Sequence, residues 1–486
     1  MVGHDDLRHA GNERLHGWLT LTRMALPHCS LALVIVALGA CTSAAPYACA
    51  DNGACVRDDL QGTCEPSGYC SFPDTTCTAS YRRYDSTAER DLSGQCVPAN
   101  PGGDCVAQIS NGGQHTCIVK HQDAKEDSIW CWGSNSSGQL GNGTFTDSAL
   151  PVEVSRASFV PPLATGDHIV EVRAGAEHTC ARTTRGQVYC WGSNGSGQLG
   201  VVENPTAMPL VPIPNSNIPR HVVFDNPLDV TVQLATGASH TCATTEDGDA
   251  HCWGANGYGQ LGDGTKISRP IPAEVVGLSQ VKETVPGNQH TCMITQDGRL
   301  FCLGSNQLGQ IGLGRTVLES LTPVQITNVT SAKDVTAGQQ HTCVIRADQS
   351  VWCWGYNISG SVGTGTENDY IFDPVEVSKG SAVITGSSGF HTCALVKSNG
   401  GELWCWGADQ SGQVGVPNSV DGIVRAPTRA LITGATDRIA VGTAHSCAVT
   451  KDGSLWCWGN NDNGQLGIGT VGESTFVPHV VNVCTP

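Results

Sequence analysis

Basic charge is scarce in this chain. Lysine and arginine number 27 among 486 residues, against 44 aspartates and glutamates, for a formal net charge of −17. Phosphate binding needs a basic surface, so nucleic acid is excluded as a partner. The balance describes a soluble, self-repelling surface. Charged residues reach only 15% while glycine reaches 59 residues, which suits turn-rich β structure. The apolar run 29–40 is too short to span a bilayer comfortably. Catalytic signatures are missing as well. The chain has no Gly-x-Ser-x-Gly elbow, no His-Glu-x-x-His and no P-loop. No pair of carboxylates stands out, so glycosidase chemistry has no support. No cofactor, metal ligand set or catalytic residue is expected.

What the chain does have is one motif in seven copies. Each copy is centred on a histidine: His115, His178, His240, His290, His341, His391 and His445. Thr or Ser follows, then cysteine. A second cysteine comes next, with a glycine two residues on; the residue between is Trp except at Leu303. A glycine-rich turn closes the unit, as in Gly464-Gln465-Leu466-Gly467. A period near 50 residues built of short strands means blades or solenoid coils rather than one globular core.

The cysteine spacing sets the local structure. Cys242 and Cys252 are symmetric about Asp247 in Glu246-Asp247-Gly248. A three-residue hairpin loop ending in glycine is a type I turn with a G1 bulge. Thr245 and Asp249 close that hairpin, and the two cysteines then oppose each other at a non-hydrogen-bonded pair, where a disulfide can form. The expected bonds are Cys117–Cys131, Cys180–Cys190, Cys242–Cys252, Cys292–Cys302, Cys343–Cys353, Cys393–Cys405 and Cys447–Cys457. In the fifth copy Gln349 replaces the glycine, so that turn should be slightly strained.

A second strand pair lies upstream of most copies. Pro374-Val375-Glu376-Val377 begins one strand and Val335-Thr336-Ala337-Gly338 gives the next. Four short strands per repeat make one propeller blade. The first copy lacks the upstream Pro-Val-x-Val strand, and an unused strand, 477–483, remains after the seventh. The expectation is that this C-terminal strand completes the first blade, with Cys105–Cys484 fastening the ring.

The Gly-x-x-His-Thr/Ser-Cys, Asp-Gly, Trp-Gly and Asn-x-x-Gly-Gln-Leu-Gly positions resemble those of the regulator of chromosome condensation repeat family. The resemblance covers about residues 105 to 484 and implies an all-β, seven-bladed β-propeller of four-stranded blades. The paired cysteines depart from that pattern and point to an exported branch.

Residues 49–104 are a separate unit with Cys49, Cys55, Cys64, Cys70, Cys77 and Cys96. Six cysteines with little apolar content read as a small disulfide-stapled module of unassigned connectivity. Zinc is disfavoured, because no Cys-x-x-Cys pairs are present. Before it, 29–40 has signal-peptide length and ends Leu38-Gly39-Ala40-Cys41. This resembles the bacterial lipobox and implies lipidation of Cys41, with Thr42 directing the protein to the outer membrane or cell surface. The alternative is ordinary secretion after cleavage near Ala45. Either destination is oxidising, in keeping with 24 cysteines. The organisation is therefore 1–40 extension and signal peptide, 41–48 lipid-anchored linker, 49–104 Cys-rich module and 105–484 propeller.

The seven histidines occupy one point of seven blades, so a shared structural role, buried and bonded to backbone, explains them better than catalysis. The Trp residues read as blade core. Gly195-Ser196-Gly197-Gln198-Leu199-Gly200 matches a dinucleotide fingerprint, but Val201 to Pro205 cannot open the required helix. It is the repeat's own turn. Function is then expected in the loops, which include the charged hairpin loop 120–128 and the proline-rich interruption 201–232. The leading expectation is a monomeric, surface-anchored or secreted propeller that binds a protein or glycan. Its only membrane contact is through the lipid. The resemblance also implies alternatives: guanine-nucleotide exchange or enzyme inhibition. A hydrolase working in the propeller channel is the third.

Overall fold

The computed structural model describes residues 105–483, apart from 123–124, 207–208, 227–228, 367, 380–381, 386–388, 397–400, 418, 420 and 433–435. It also describes five short strands between 56 and 84, in one two-stranded and one three-stranded antiparallel sheet. The chain divides into two compact units, 1–45 and 46–486, and every described residue belongs to the second. The lipidation position Cys41 and the module residues Cys49, Cys55, Cys77 and Cys96 lie outside the described residues. Cys64 and Cys70 face each other across two of the short strands.

Residues 106–480 fold into seven four-stranded antiparallel sheets, each with its strands in sequence order. These are the seven blades of a β-propeller. Blade 3 is typical, with strands Thr231–Thr236, His240–Thr245, Ala250–Gly254 and Arg269–Glu274. Its second strand is buried at every position, because both its faces pack on neighbouring blades. Thr and Cys can sit there only when each polar atom finds a partner.

The hairpins between second and third strands of blades 2, 3, 4 and 7 have the expected geometry. In blade 3 the Thr245 N–H donates to the Asp249 carbonyl and the Gly248 N–H to the Thr245 carbonyl, with Gly248 at φ +85°. That register sets Cys242 opposite Cys252, and the disulfide joins them with Cα atoms 4.1 Å apart. The other six blades carry the same bond: Cys117–Cys131, Cys180–Cys190, Cys292–Cys302, Cys343–Cys353, Cys393–Cys405 and Cys447–Cys457. In blade 5 Gln349 makes the turn at φ +67° without glycine's freedom, so the strain expected there is present.

The C-terminal strand corrects the expected closure. Thr475–Val480 pairs with Leu455–Gly459 of blade 7, not with blade 1. Blade 1 has its own fourth strand, Ser148–Val154. The Pro-Val-x-Val strand therefore ends the preceding blade and does not begin the next. The cause is local: the chain leaves the third strand, makes one compact loop and returns beside the nearest unpaired edge. Cys105 is disulfide-bonded, while Cys484 lies outside the described residues.

The apolar cores sit between blades. Leu140 and Cys131 of blade 1 pack against Val172, Tyr189 and Trp191 of blade 2. At the seam, Val106, Ile118 and Trp132 of blade 1 pack with Cys447, Leu455, Leu466, Val481 and Val483. Burying one such aromatic contributes about 2–3 kcal/mol by transfer.

Candidate functional site

The histidines join blade to blade. The Nε2 of His115 lies 2.8 Å from Thr179 Oγ1 of the next blade, and the pattern repeats as His178–Thr241, His240–Thr291, His290–Thr342, His341–Thr392 and His391–Ser446. At the seam His445 meets Thr116 at 2.9 Å. The partner is therefore a hydroxyl of the neighbouring blade, not backbone as the sequence implied. Each hydroxyl in turn donates to a carbonyl in the loop between the third and fourth strands of the previous blade, as Thr179 does to Gln139. A hydroxyl has one proton, and here it goes to the carbonyl. The imidazole must therefore donate from Nε2. Nδ1 is left a bare acceptor, buried and without a partner in all seven.

The same carbonyl receives a second proton. Trp191 Nε1 donates to the Gln139 oxygen at 2.9 Å, and five other blades repeat the bond from Trp132, Trp253, Trp354, Trp406 and Trp458. Leu303 supplies no such donor, so Thr291 alone serves Gln260. The recurrent Asn and Gln build the loop that presents this carbonyl. Asn135 Oδ1 accepts from the Leu140 N–H and its Nδ2 donates to the carbonyls of Thr144 and Thr146. Gln139 Oε1 accepts from the Ser137 N–H. In six blades the glycine three residues before the histidine leaves room for the ring: a Cβ on Gly175 would lie 2.3 Å from His178 Cε1.

Burial holds these imidazoles neutral. It lowers His115, His240, His290, His391 and His445 to about 3 and His178 and His341 to about 4, with neighbouring histidines adding to the effect in four of them. The histidines are clasps. Among the described residues no group of three or more His, Cys, Asp or Glu is placed to hold a metal.

The first strands line a central channel. In six blades the residue four before the first glycine is polar, namely Gln108, Glu171, Gln233, Glu283, Asp334 and Arg438, and Gln233, Glu283 and Asp334 among them line the channel. Several of these serve the neighbouring strand. Gln108 accepts from the Val172 N–H at 2.6 Å, Gln233 bridges to both the N–H and carbonyl of Thr284, and Arg438 donates to the Val106 carbonyl. Glu171 is held by Arg173 and Arg182 at 2.9 and 2.7 Å. Glu283 and Asp334 differ: their carboxyl groups hydrogen-bond each other. Burial, then the charge of Asp334, pushes Glu283 up to about 8. The sequence contained this pair, in one column of two successive copies, but it is visible only once the copies are stacked on their glycines.

A second departure from the repeat is aromatic. The residue after the Trp-Gly or Leu-Gly pair is small or polar at Ser134, Ser193, Ala255, Ser305, Ala408 and Asn460, but is Tyr356 in blade 5. The residue before the histidine is Phe390 in blade 6, where other blades have Gln, Glu, Ser or Ala. The two rings meet at 5.4 Å, Tyr370 joins Tyr356 at 6.0 Å and Phe372 at 6.2 Å, and Arg315 lies 4.8 Å over Phe372. All lie on the face that carries the loops between third and fourth strands, where Leu318 and Ile358 are also exposed.

The family model described as an RCC1-like domain matches residues 47–395 and 215–485. The chain is 30% identical over 373 residues to the Ultraviolet-B receptor UVR8 of Arabidopsis thaliana, covering 76% of this chain and 69% of that one. It is 24% identical over 415 residues to the guanine nucleotide exchange factor SRM1 of Saccharomyces cerevisiae, covering 77% and 73%. The crystal structure of human WBSCR16 superposes with a TM-score of 0.60 at 22% identity, covering 71% of this chain and 86% of that one, a likeness of fold. The histidine clasps, the seven self-contained blades and these matches agree: the chain belongs to the RCC1-like domain family.

Proposed function

We propose that this protein is a binding propeller that recognises a protein partner on the face bearing Tyr356, Tyr370, Phe372, Phe390 and Arg315. The family is a protein-binding scaffold. Its members differ in activity, with a photoreceptor and an exchange factor among the relatives, so activity does not transfer with the fold. The observation that carries the reading is the aromatic cluster. It breaks a repeat whose other blades put small or polar residues at the same points. Tyr and Arg are enriched where interfaces concentrate their energy, and Tyr370 is 37% exposed.

Catalysis is not part of this reading. Glu283 and Asp334 touch each other, whereas a glycosidase pair stands about 5 Å or more apart. The exchange activity named for SRM1 belongs to a relative at 24% identity and is set aside, as is enzyme inhibition. The oxidised blades support export, and the Leu38-Gly39-Ala40-Cys41 run supports a lipid anchor at the outer membrane or cell surface. Mass spectrometry of the mature N-terminus tests the anchor: a diacylglyceryl group on Cys41 is expected, and an unmodified peptide beginning near Ala45 refutes it.

Photo-crosslinking from a benzoylphenylalanine placed at Leu318 tests the face. One dominant protein adduct is expected, lost when Tyr370 and Arg315 are both changed to alanine. A glycan adduct, or a protein adduct that survives the double change, refutes the assignment.

A further inference from the structure

The channel holds a cavity of about 270 Å³ whose lining includes Glu283, Asp334, Thr336, Asn111, Val285 and Ala440. Two observations there call for an occupant. The first is the carboxyl pair, half-buried and facing itself across two blades. Two carboxylates in contact cannot both be charged without a cation between them, and the pair satisfies this with a shared proton. The second is Thr336. It stands two residues along the strand from Asp334, hence on the same side. It is 1% exposed, and its Oγ1 has no hydrogen-bond partner. Asn111, across the channel, leaves its Oδ1 unpartnered at 6% exposure.

We propose that this cavity binds a primary ammonium group, with Glu283, Asp334 and the Thr336 hydroxyl as acceptors for its three N–H donors. A primary ammonium offers three protons and accepts none, which matches the two carboxyls and the hydroxyl that line this cavity. A divalent metal is a poorer fit. Only two anionic ligands converge, and the cavity is roomier than one ion requires, with alanine and valine in its wall suited to a carbon chain. The other charges facing the site are accounted for: Arg173 is bound to Glu171, and Arg438 is occupied by Asp437 and the Val106 carbonyl. Lys282 donates from Nζ to the Lys333 carbonyl, beside Asp334, and its charge and that of Arg173 lower Glu283 against the larger effects of burial and Asp334. The ammonium replaces the shared proton, which leaves to solvent. The pair becomes a dianion holding one cation. The head group could belong to a free small amine or to a lysine side chain of a protein bound at the mouth. The site stands independently of the aromatic face.

Calorimetric titration of the intact chain at pH 7 with butylamine and with Nα-acetyl-lysine methylamide tests this. Saturable binding is expected, with up to one proton released per amine. The release is read from the difference in heat between phosphate and HEPES buffers. Tighter binding of the lysine amide assigns the head group to a protein partner, and tighter binding of butylamine to a free amine. Glu283→Gln should weaken binding by about tenfold or more and abolish proton release, and Asp334→Asn should do the same. Unchanged near-ultraviolet circular dichroism of both variants shows that the ring is intact. No saturable binding at millimolar amine, equal binding of butan-1-ol, displacement by calcium at equal concentration, or unchanged affinity in both variants overturns the proposal.

Discussion

Acid should unfasten this ring well before it reaches the carboxylates. Each clasp histidine titrates near 6.5 when the chain is unfolded and at about 3 or 4 when folded. The folded value is the lower one, so the unfolded chain takes up the protons. The histidines then contribute their full stability above pH 6.5 and lose it as pH falls toward 4. At pH 5.5 the loss is about 1.4 kcal/mol for each histidine, or about 10 kcal/mol for seven. Glu283 works against this. Its folded value is raised, so the folded state keeps a proton that the unfolded chain has shed, and stability from this group grows by about 2.5 kcal/mol between pH 7.5 and 5.5. The net loss is about 7 kcal/mol, comparable to the whole stability of an ordinary domain. Guanidinium unfolding of the oxidised protein, followed by tryptophan fluorescence, should show the midpoint falling steeply between pH 7.5 and 5.5. Nitrogen-15 spectra over the same range should keep seven imidazoles in the Nε2–H form without titration. A flat midpoint, or clasp imidazoles that titrate near 6.5, would refute the reasoning.

Three further outcomes follow from individual residues. Thr342→Val removes the acceptor of His290 and should cost about 2–3 kcal/mol in thermal or chemical unfolding; Thr291→Val should cost about 1 kcal/mol more, because Leu303 gives Gln260 no indole while Trp354 still serves Gln310. Equal losses would show that the indole bond is irrelevant. Gln349→Gly should stabilise blade 5 by about 1 kcal/mol by relieving a positive φ; a lower melting temperature would contradict this. Peptide mapping without reduction should recover the seven blade bonds together with Cys105 joined to Cys484, and a free thiol at Cys484 would exclude that ring fastener.

Much of this architecture was legible because each copy repeats its own local chemistry. The turn at Gly248 and the opposition of Cys242 and Cys252 depend on residues within a dozen positions of one another, and spacing alone determines them. The phase of the blade was not legible in that way. A strand such as Thr475–Val480 has two neighbours in sequence, and the pattern does not say which edge it joins. The histidine partner was missed for a related reason. Thr179 lies 64 residues from His115, and a period tells which copies adjoin without telling which atoms meet. The channel pair escaped because Glu283 and Asp334 look ordinary within their own copies. Tyr356 and Phe390 were equally readable as exceptions, but only against the other blades at the same position.

The seam between blades 7 and 1 carries the same histidine–hydroxyl clasp as the other joints, and among the described residues no strand crosses it. A propeller closed by exchanging a strand divides one blade between its two ends, and its copies can be gained or lost only in step with that division. Here each sheet is complete in one stretch of chain. The blade is thus a portable unit, and the ring has no structurally privileged first member. A circular permutant opened at any blade-to-blade connection would retain all seven ladders, all seven cystines and all seven clasps, so the order of blades along the gene is free to vary while the ring they build stays the same.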